Sequence, residues 1–317
     1  MGERKRNTVS PLAPHEIRGN WATLICPWNG DDSLDSHRLA AEIDALIGFG
    51  VDGIYSNGTA GEFHTQSETE FDLISGILAT RCNAAAMPFQ IGVSHPVAHT
   101  MLARVNRIVA LAPSAIQIIL PDWFPVTNAE GIDFLRRMAD ASDGIGLVLY
   151  NPPHAKRRLT PGDLTILADA VPELVGVKVP GGDHAWYEEM QPLFRRLSVF
   201  IPGHTLASGF VKGAHGAYSN VACLHPGAAQ RWWNRMQNDL TGAIELESRI
   251  RRFMEDHIVP FIRDRGYCNA ACDRLMANIG GWADVGPGMR WPYRSIPGSE
   301  IPRLREIVRE LLPEFIA

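Results

Sequence analysis

Apolar residues along the chain fall into two alternating spacings. Short runs of consecutive or near-consecutive apolar, often β-branched residues read as strands buried on both faces. They occur at Trp21–Cys26, Gly53–Ser56, Phe89–Val93, Ala115–Leu120, Ile145–Tyr150, within the stretch 172–183 (PELVGVKVPGGD), and at Ser198–Ile201 and Gly216–Val221. Between them the spacing changes to that of helices: Asp35–Phe49, with Leu39, Ile43, Leu46 and Ile47 on one face, then Thr69–Thr80, Val97–Leu111, Glu130–Ala141, Pro161–Ala170, Trp186–Arg196 and Leu206–Lys212. Eight such repeats ending near residue 225 predict an α/β fold, a parallel sheet closed as a (β/α)8 TIM barrel over 15–225. An open doubly wound sheet is the alternative, weakened by the lack of a Gly-x-Gly-x-x-Gly after the first strand.

Beyond 225 no strand pattern remains. Ala228–Asn238, Gly242–Arg263 and Pro302–Leu312 read as helices, with a shorter one over Ala270–Asn278, so 226–317 is expected to be a C-terminal helical region. Residues 1–14 carry basic side chains with no apolar segment behind them. They are read as a flexible N-terminal arm rather than a secretory signal. A net charge of -5 and a pI near 6.1 give no electrostatic footprint for nucleic acid, and no apolar run is long enough to span a membrane. Five scattered cysteines suit unpaired thiols in a reducing cytoplasm.

One residue breaks the apolar pattern in a way that matters. Lys178 stands between Val177 and Val179 inside the sixth strand, in a chain with 4 lysines and 26 arginines. Arginine stays charged, whereas a buried lysine can lose its proton and attack a carbonyl. Bringing its pKa from about 10.4 to about 7 costs roughly 4.6 kcal/mol, which desolvation in an apolar strand end can supply. The bland alternative is a lysine whose stem is buried and whose head reaches water.

Barrel enzymes place their chemistry at the carboxyl ends of strands. Those ends carry Gly58-Thr59, His95, Pro121–Phe124, Tyr150-Asn151, Lys178 and Gly203-His204. Tyr150 and Lys178 then lie on adjacent strands at similar height. A tyrosine there is a proton carrier whose pKa the neighbouring cation is expected to lower, or else an ordinary core aromatic. His95 and His99, four apart, with His154, His204 and His225 near strand ends, leave a metal-dependent aldolase as a rival, which would need three such ligands to converge. The Trp232-Trp233 pair reads as helix packing, and Arg249, Arg251 and Arg252 as a solvated or ion-paired helix face.

Three motifs in order, Gly58-Thr59-Ala60-Gly61-Glu62, Tyr150-Asn151-Pro152-Pro153 and Gly176-Val177-Lys178, make the chain resemble the dihydrodipicolinate synthase / N-acetylneuraminate lyase family of lysine-dependent (class I) aldolases. The resemblance runs over roughly residues 15–310, and Tyr and Lys stand 28 positions apart as in that family. It implies that Lys178 forms an imine with a 2-oxo acid, typically pyruvate or a longer acid containing it. The covalent imine is then the electron sink, without metal or other cofactor. The resemblance further implies that Tyr150 is the acid/base, that Thr59 holds the Tyr150 hydroxyl, and that the amides of Ala60 and Gly61 bind the substrate carboxylate. Gly203 and the carbonyl near Tyr218 would line the pocket. Family members are commonly tetramers of tight dimers, so a homo-oligomer, a dimer of dimers, is expected.

The chain departs from the synthase pattern at three places. Ala60 stands where a second hydroxyl residue is usual. Asp122-Trp123 replaces a Tyr-Tyr pair, and Ala155 replaces an arginine that would bind a substrate carboxylate, although Lys156, Arg157 and Arg158 follow. An indole N–H donates a hydrogen bond but shuttles no proton. These departures argue against dihydrodipicolinate synthesis itself. With Trp123, Phe124 and His204 at the pocket mouth, they leave two enzymatic readings: a dehydratase or aldolase for 2-keto-3-deoxy sugar acids, and a hydratase-aldolase for arylidene-pyruvates. A non-catalytic 2-oxo acid sensor is the reading from another class.

Overall fold

The computed structural model describes residues 11–316. Among them, eight parallel strands close in sequence order into a barrel: β1 Gly19–Thr23, β2 Gly53–Ser56, β3 Phe89–Gly92, β4 Ala115–Ile118, β5 Leu147–Tyr150, β6 Leu174–Lys178, β7 Ser198–Pro202 and β8 Gly216–Tyr218. Pairing of β1 with β8 closes the ring and removes the open doubly wound alternative. The helices between strands are α1 (Ser36–Gly48), α2 (Glu68–Ala85), α3 (Ala98–Ile108), α4 (Asn128–Ala141), α5 (Pro161–Ala170), α6 (His184–Glu189), α7 (Gln191–Phe194) and α8 (Leu206–Val211).

Alternation along each strand divides the apolar side chains into two sets. Outward residues such as Ile54, Ile91, Ile116, Leu149, Val177 and Val199 join the helices in the large core. Inward residues Trp21, Tyr55, Ala115, Val148, Phe200 and Tyr218 fill the lower lumen, with Ile17 and Leu12 beneath them. The lumen is therefore a packed floor, and what lies above it is the site. Of the arm expected over 1–14, residues 1–10 lie outside the described residues. Leu12 is anchored, its N–H donating to Ser114 O at 2.9 Å.

Helix starts are set by side chains that cap them. Ser67 with Glu70, Thr127 with Glu130 and Thr160 with Asp163 each form a reciprocal capping box, which starts α2 and α4 one or two residues before the apolar spacing does. The eighth strand is shorter than its apolar run. Ser219 Oγ accepts from the Ala222 N–H at 3.1 Å and starts a further helix, α9 (Asn220–Leu224), where a strand was expected to Val221.

Past the barrel lie α10 (Pro226–Met236), α11 (Leu240–Phe253), α12 (Val259–Arg263), α13 (Asn269–Gly280) and α14 (Glu300–Leu311), with no strand among the described residues of this region. The single helix expected over Gly242–Arg263 is interrupted. Met254–Ile258 is a π-helical turn in which the Val259 N–H reaches Met254 O, just before Pro260, which has no N–H to give. Trp232 and Trp233 are buried packing residues; the Trp232 indole donates to Ala243 O at 2.9 Å.

Candidate active site

Lys178 closes β6. Val177 turns outward into the helix layer, while Lys178 faces a cavity of about 230 Å³ above the lumen floor. The lysine is 9% exposed. Desolvation lowers its pKa from 10.5 to about 8, against the opposing attraction of Asp273. Lys178 is the direct register partner of Tyr150 across β5 and β6, and its Nζ lies 5.1 Å from the centroid of the Tyr150 ring.

The Tyr150 hydroxyl is 3.4 Å from Thr59 Oγ1. The expected lowering of its pKa by the neighbouring cation does not occur. Burial is the largest effect and pushes the phenol up to about 12, with the Thr59 hydrogen bond opposing it and the Asp273 charge adding to it.

The turn after β2 forms the next wall. Gly58, Thr59 and Ala60 line the cavity, and a Cβ on Gly58 would stand 2.9 Å from the Tyr55 ring. The N–H groups of Ala60 and Gly61 have no acceptor among the described residues. Gly61 lies behind the wall, its carbonyl accepting from Gln66 Nε2 at 2.8 Å and from the Cys26 thiol at 3.2 Å. The turn is held from below by Glu62, at a left-handed φ of 54°. Its buried carboxylate accepts from the Trp28 indole at 3.0 Å, the Arg274 guanidinium at 2.5 Å and the Arg290 N–H at 3.0 Å.

His204 and Tyr218 line the opposite side, and Gly203 lies just behind, where a Cβ would stand 2.6 Å from Ser219 Oγ. Tyr218 stacks on Tyr55 with centroids 4.2 Å apart, and its hydroxyl donates to Gln90. Asn220 fixes the His204 ring: its Oδ1 accepts the His204 backbone N–H at 3.2 Å, so its Nδ2 faces His204 Nδ1 at 2.9 Å. Burial lowers the His204 pKa and keeps the ring neutral.

Gln117 and Asp273 are among the polar residues of the cavity that were not singled out from the sequence. Gln117, fully buried on β4, lines it with both amide atoms unpartnered in the protein. A glutamine at an inward position between isoleucines is a signal that could have found it. Asp273 comes from α13, and its carboxyl is pushed up to about 7 by burial, with Lys178 and the Cys223 thiol pulling the other way. Nothing local marks Asp273. It is over the barrel because the next residue, Arg274, reaches Cys26 O at 2.7 Å and Glu62 in the barrel. Around Asp273, the π-turn and α12 close the cavity with Met254, Ile258, Val259 and Ile262.

Trp123 is not in this wall. It lines a second cavity of about 360 Å³ that shares Thr59 and Tyr150 with the first, and it is 76% exposed, beside Phe124 at 82%. Lys156 covers the Trp123 ring at 4.8 Å and donates to its carbonyl at 2.9 Å, while Arg157 pairs with Asp163 at 2.8 Å. His95 and His154 line this second cavity and His204 the first. His225 caps α10 instead, accepting from the Ala228 N–H at 3.2 Å. Among the described residues, no three His, Cys, Asp or Glu side chains come together as a metal site, so the ligand set that a metal-dependent aldolase needs is not assembled.

Compared with known proteins, residues 16–309 match the model of the dihydrodipicolinate synthetase family. The chain belongs to that family. The N-acetylneuraminate lyase of Salmonella typhimurium is 23% identical over 308 residues, covering 94% of this chain and 98% of the lyase. Two solved structures share the barrel fold. A pyruvate complex of the prophage protein YagE from E. coli K12, of the dihydrodipicolinic acid synthase family, superposes with a TM-score of 0.81 at 20% identity, over 93% of this chain and 98% of that one. N-acetylneuraminate lyase from Fusobacterium nucleatum gives 0.80 at 18% identity, over 94% and 99%. As a dihydrodipicolinate synthetase family member, the chain is a class I aldolase-type enzyme, a lyase. No helix among the described residues is long and apolar enough to cross a membrane.

Proposed function

We propose that the chain is a Schiff-base lyase whose nucleophile is Lys178 and whose substrate is pyruvate or a 2-oxo acid that contains it, such as a 2-keto-3-deoxy sugar acid. The observation that carries this reading is the register pairing of a buried, readily deprotonated Lys178 with Tyr150. The neutral amine attacks the C2 ketone. Tyr150, held at Thr59, donates the proton that lets the carbinolamine lose water. The unpartnered N–H groups of Ala60 and Gly61 take the substrate carboxylate. The iminium then accepts the electron pair of the bond broken at C3, and no cofactor beyond the covalent imine takes part.

The reading sets dihydrodipicolinate synthesis aside because the two basic residues directly after Ala155 are engaged elsewhere, Lys156 at Trp123 and Arg157 at Asp163, while Arg158 is exposed. The hydratase-aldolase reading for arylidene-pyruvates is favoured by one feature, the apolar cover of Met254, Ile258, Val259 and Ile262. Exposed Trp123 and Phe124 support a homo-oligomer, a dimer of dimers, and the unpaired thiols accord with the cytoplasm. Light scattering that returned only the 34.9 kDa monomer would remove the assembly.

Borohydride reduction in the presence of pyruvate should leave one adduct by mass, on Lys178. An adduct elsewhere, or none, overturns the mechanism. A panel of 2-keto-3-deoxy acids and arylidene-pyruvates, scored for pyruvate release against water loss, then names the reaction. Pyruvate binding with no turnover of any of them would mean a sensor.

A further inference from the structure

An ionised carboxylate offers about four acceptor sites, and the turn after β2 meets only some of them. The N–H groups of Ala60 and Gly61 are two donors. The Ala60 side chain is a methyl and gives none, and the Thr59 hydroxyl is held at Tyr150. A further donor stands on β4. Gln117 is fully buried and lines the same cavity as Gly58, Thr59 and Ala60. Among the described residues, neither its amide oxygen nor its amide nitrogen has a hydrogen-bond partner. A buried amide left unmet is costly to the empty protein, and a ligand that completes it accounts for its presence.

Two glycines give that amide access to the turn. β3 runs between β2 and β4, and its residue in register with Gln117 is Gly92. A Cβ on Gly92 would stand 2.8 Å from the carbonyl oxygens of Ser56 and Asn57, so no side chain fits between Gln117 and the end of β2. Gly58, which opens the turn, is also bare, and a Cβ on it would lie 3.9 Å from Gln117 Oε1. A half-turn of the amide exchanges Oε1 and Nε2 without changing its shape, so either atom can face the turn.

We propose that Gln117 is a substrate-binding residue whose Nε2 donates to the C1 carboxylate of the 2-oxo acid, completing the set begun by the Ala60 and Gly61 amides. The proposal rests on the imine reading above. Lys178 fixes C2, and donors from two strands fix the carboxylate one bond away, so the plane of the imine is set from both ends. Hydrogen bonds to an ionised oxygen are the stronger kind. The class bound is therefore a 2-oxo acid with a free C1 carboxylate. A C1 ester keeps the reactive ketone but lacks the charge, and gains little from Gln117.

The test compares wild type with Gln117→Leu, which keeps a similar size and removes the donor. Borohydride trapping on Lys178 is followed against the concentration of pyruvate and, separately, of methyl pyruvate. Half-saturating pyruvate should rise by roughly 10–100-fold in the variant, the worth of one hydrogen bond to a charged group, while saturation by methyl pyruvate should move little. The melting temperature of the free variant should rise, because an apolar side chain replaces an unpartnered amide. Adding Ala60→Ser to Gln117→Leu puts a hydroxyl donor back at the turn and should recover part of the pyruvate saturation. Unchanged pyruvate saturation overturns the proposal, and so does an equal loss for acid and ester, since Gln117 would then act on the imine or the fold. A lower melting temperature overturns it by showing that the amide is already engaged within the protein. No recovery in the double variant overturns it too, because the two positions would not serve one carboxylate. If wild type itself forms no pyruvate adduct on Lys178, the imine reading fails and this inference with it.

Discussion

An amine attacks a ketone only when neutral, and Lys178, with its pKa lowered to about 8, changes state within reach of neutral pH. Below that value the folded protein carries an ammonium and above it the nucleophile, so the rate of pyruvate trapping should climb as pH rises through about 8. Asp273 attracts the ammonium and holds the pKa up. In Asp273→Asn the climb should therefore move to lower pH, and a profile that stays in place would mean that the two groups do not face each other. Tyr150→Phe removes a hydroxyl but keeps the ring that packs under Lys178. Turnover should drop by roughly 10²–10⁴-fold with little change in melting temperature, and an unchanged rate would reduce Tyr150 to packing. Lys178 and Tyr150 were legible in the sequence because each ends a strand, and parallel pairing of neighbouring strands puts them side by side. Asp273 was not, since its position depends on a contact 212 residues distant in the chain, Arg274 to Glu62.

The strands were readable as elements because a barrel buries both of their faces, which leaves unbroken apolar runs. Ends were less readable where a side chain intervenes, as Ser219 does at β8 and Pro260 at the π-turn. Polar residues inside an element carry consequences that spacing does not reveal. Glu42 on α1 is 1% exposed; one carboxyl oxygen accepts the Ile25 N–H at 2.7 Å and the other has no partner in the protein. Burial, the largest influence, pushes its pKa up to about 8. An unfolded glutamate titrates near about 4.3, so between the two values the folded chain binds the extra proton. The associated stability is complete below the unfolded value and is lost as pH rises through about 8. Glu42→Gln cannot ionise. Its melting temperature should exceed that of wild type at alkaline pH, and the two should converge in acid. Parallel melting curves across pH would show that Glu42 keeps an ordinary pKa.

At the scale of the whole molecule, the barrel and the C-terminal helices are joined by several polar contacts, of which a buried ion pair is the deepest. The sequence divides the chain near residue 225, where the strand pattern ends, yet the cavity is walled from both sides of that division. Glu62 in the barrel turn and Arg274 on α13 form an ion pair with side chains 1% and 2% exposed. Such a pair adds little relative to an apolar pair of similar shape, but removing one member strands the other charge, at a cost of about 3–5 kcal/mol. Glu62→Gln and Arg274→Met should each destabilise by about that amount, and the double variant by less than their sum, with a coupling of about 0.5–3 kcal/mol. Denaturant melts of the four proteins measure the cycle. Because Glu62 also fixes the turn that carries Thr59 and Ala60, the single variants should trap pyruvate more slowly even under conditions where they remain folded. Additive energies would mean that Glu62 and Arg274 do not act as a pair, and trapping at the wild-type rate would mean that the turn keeps its shape without the pair.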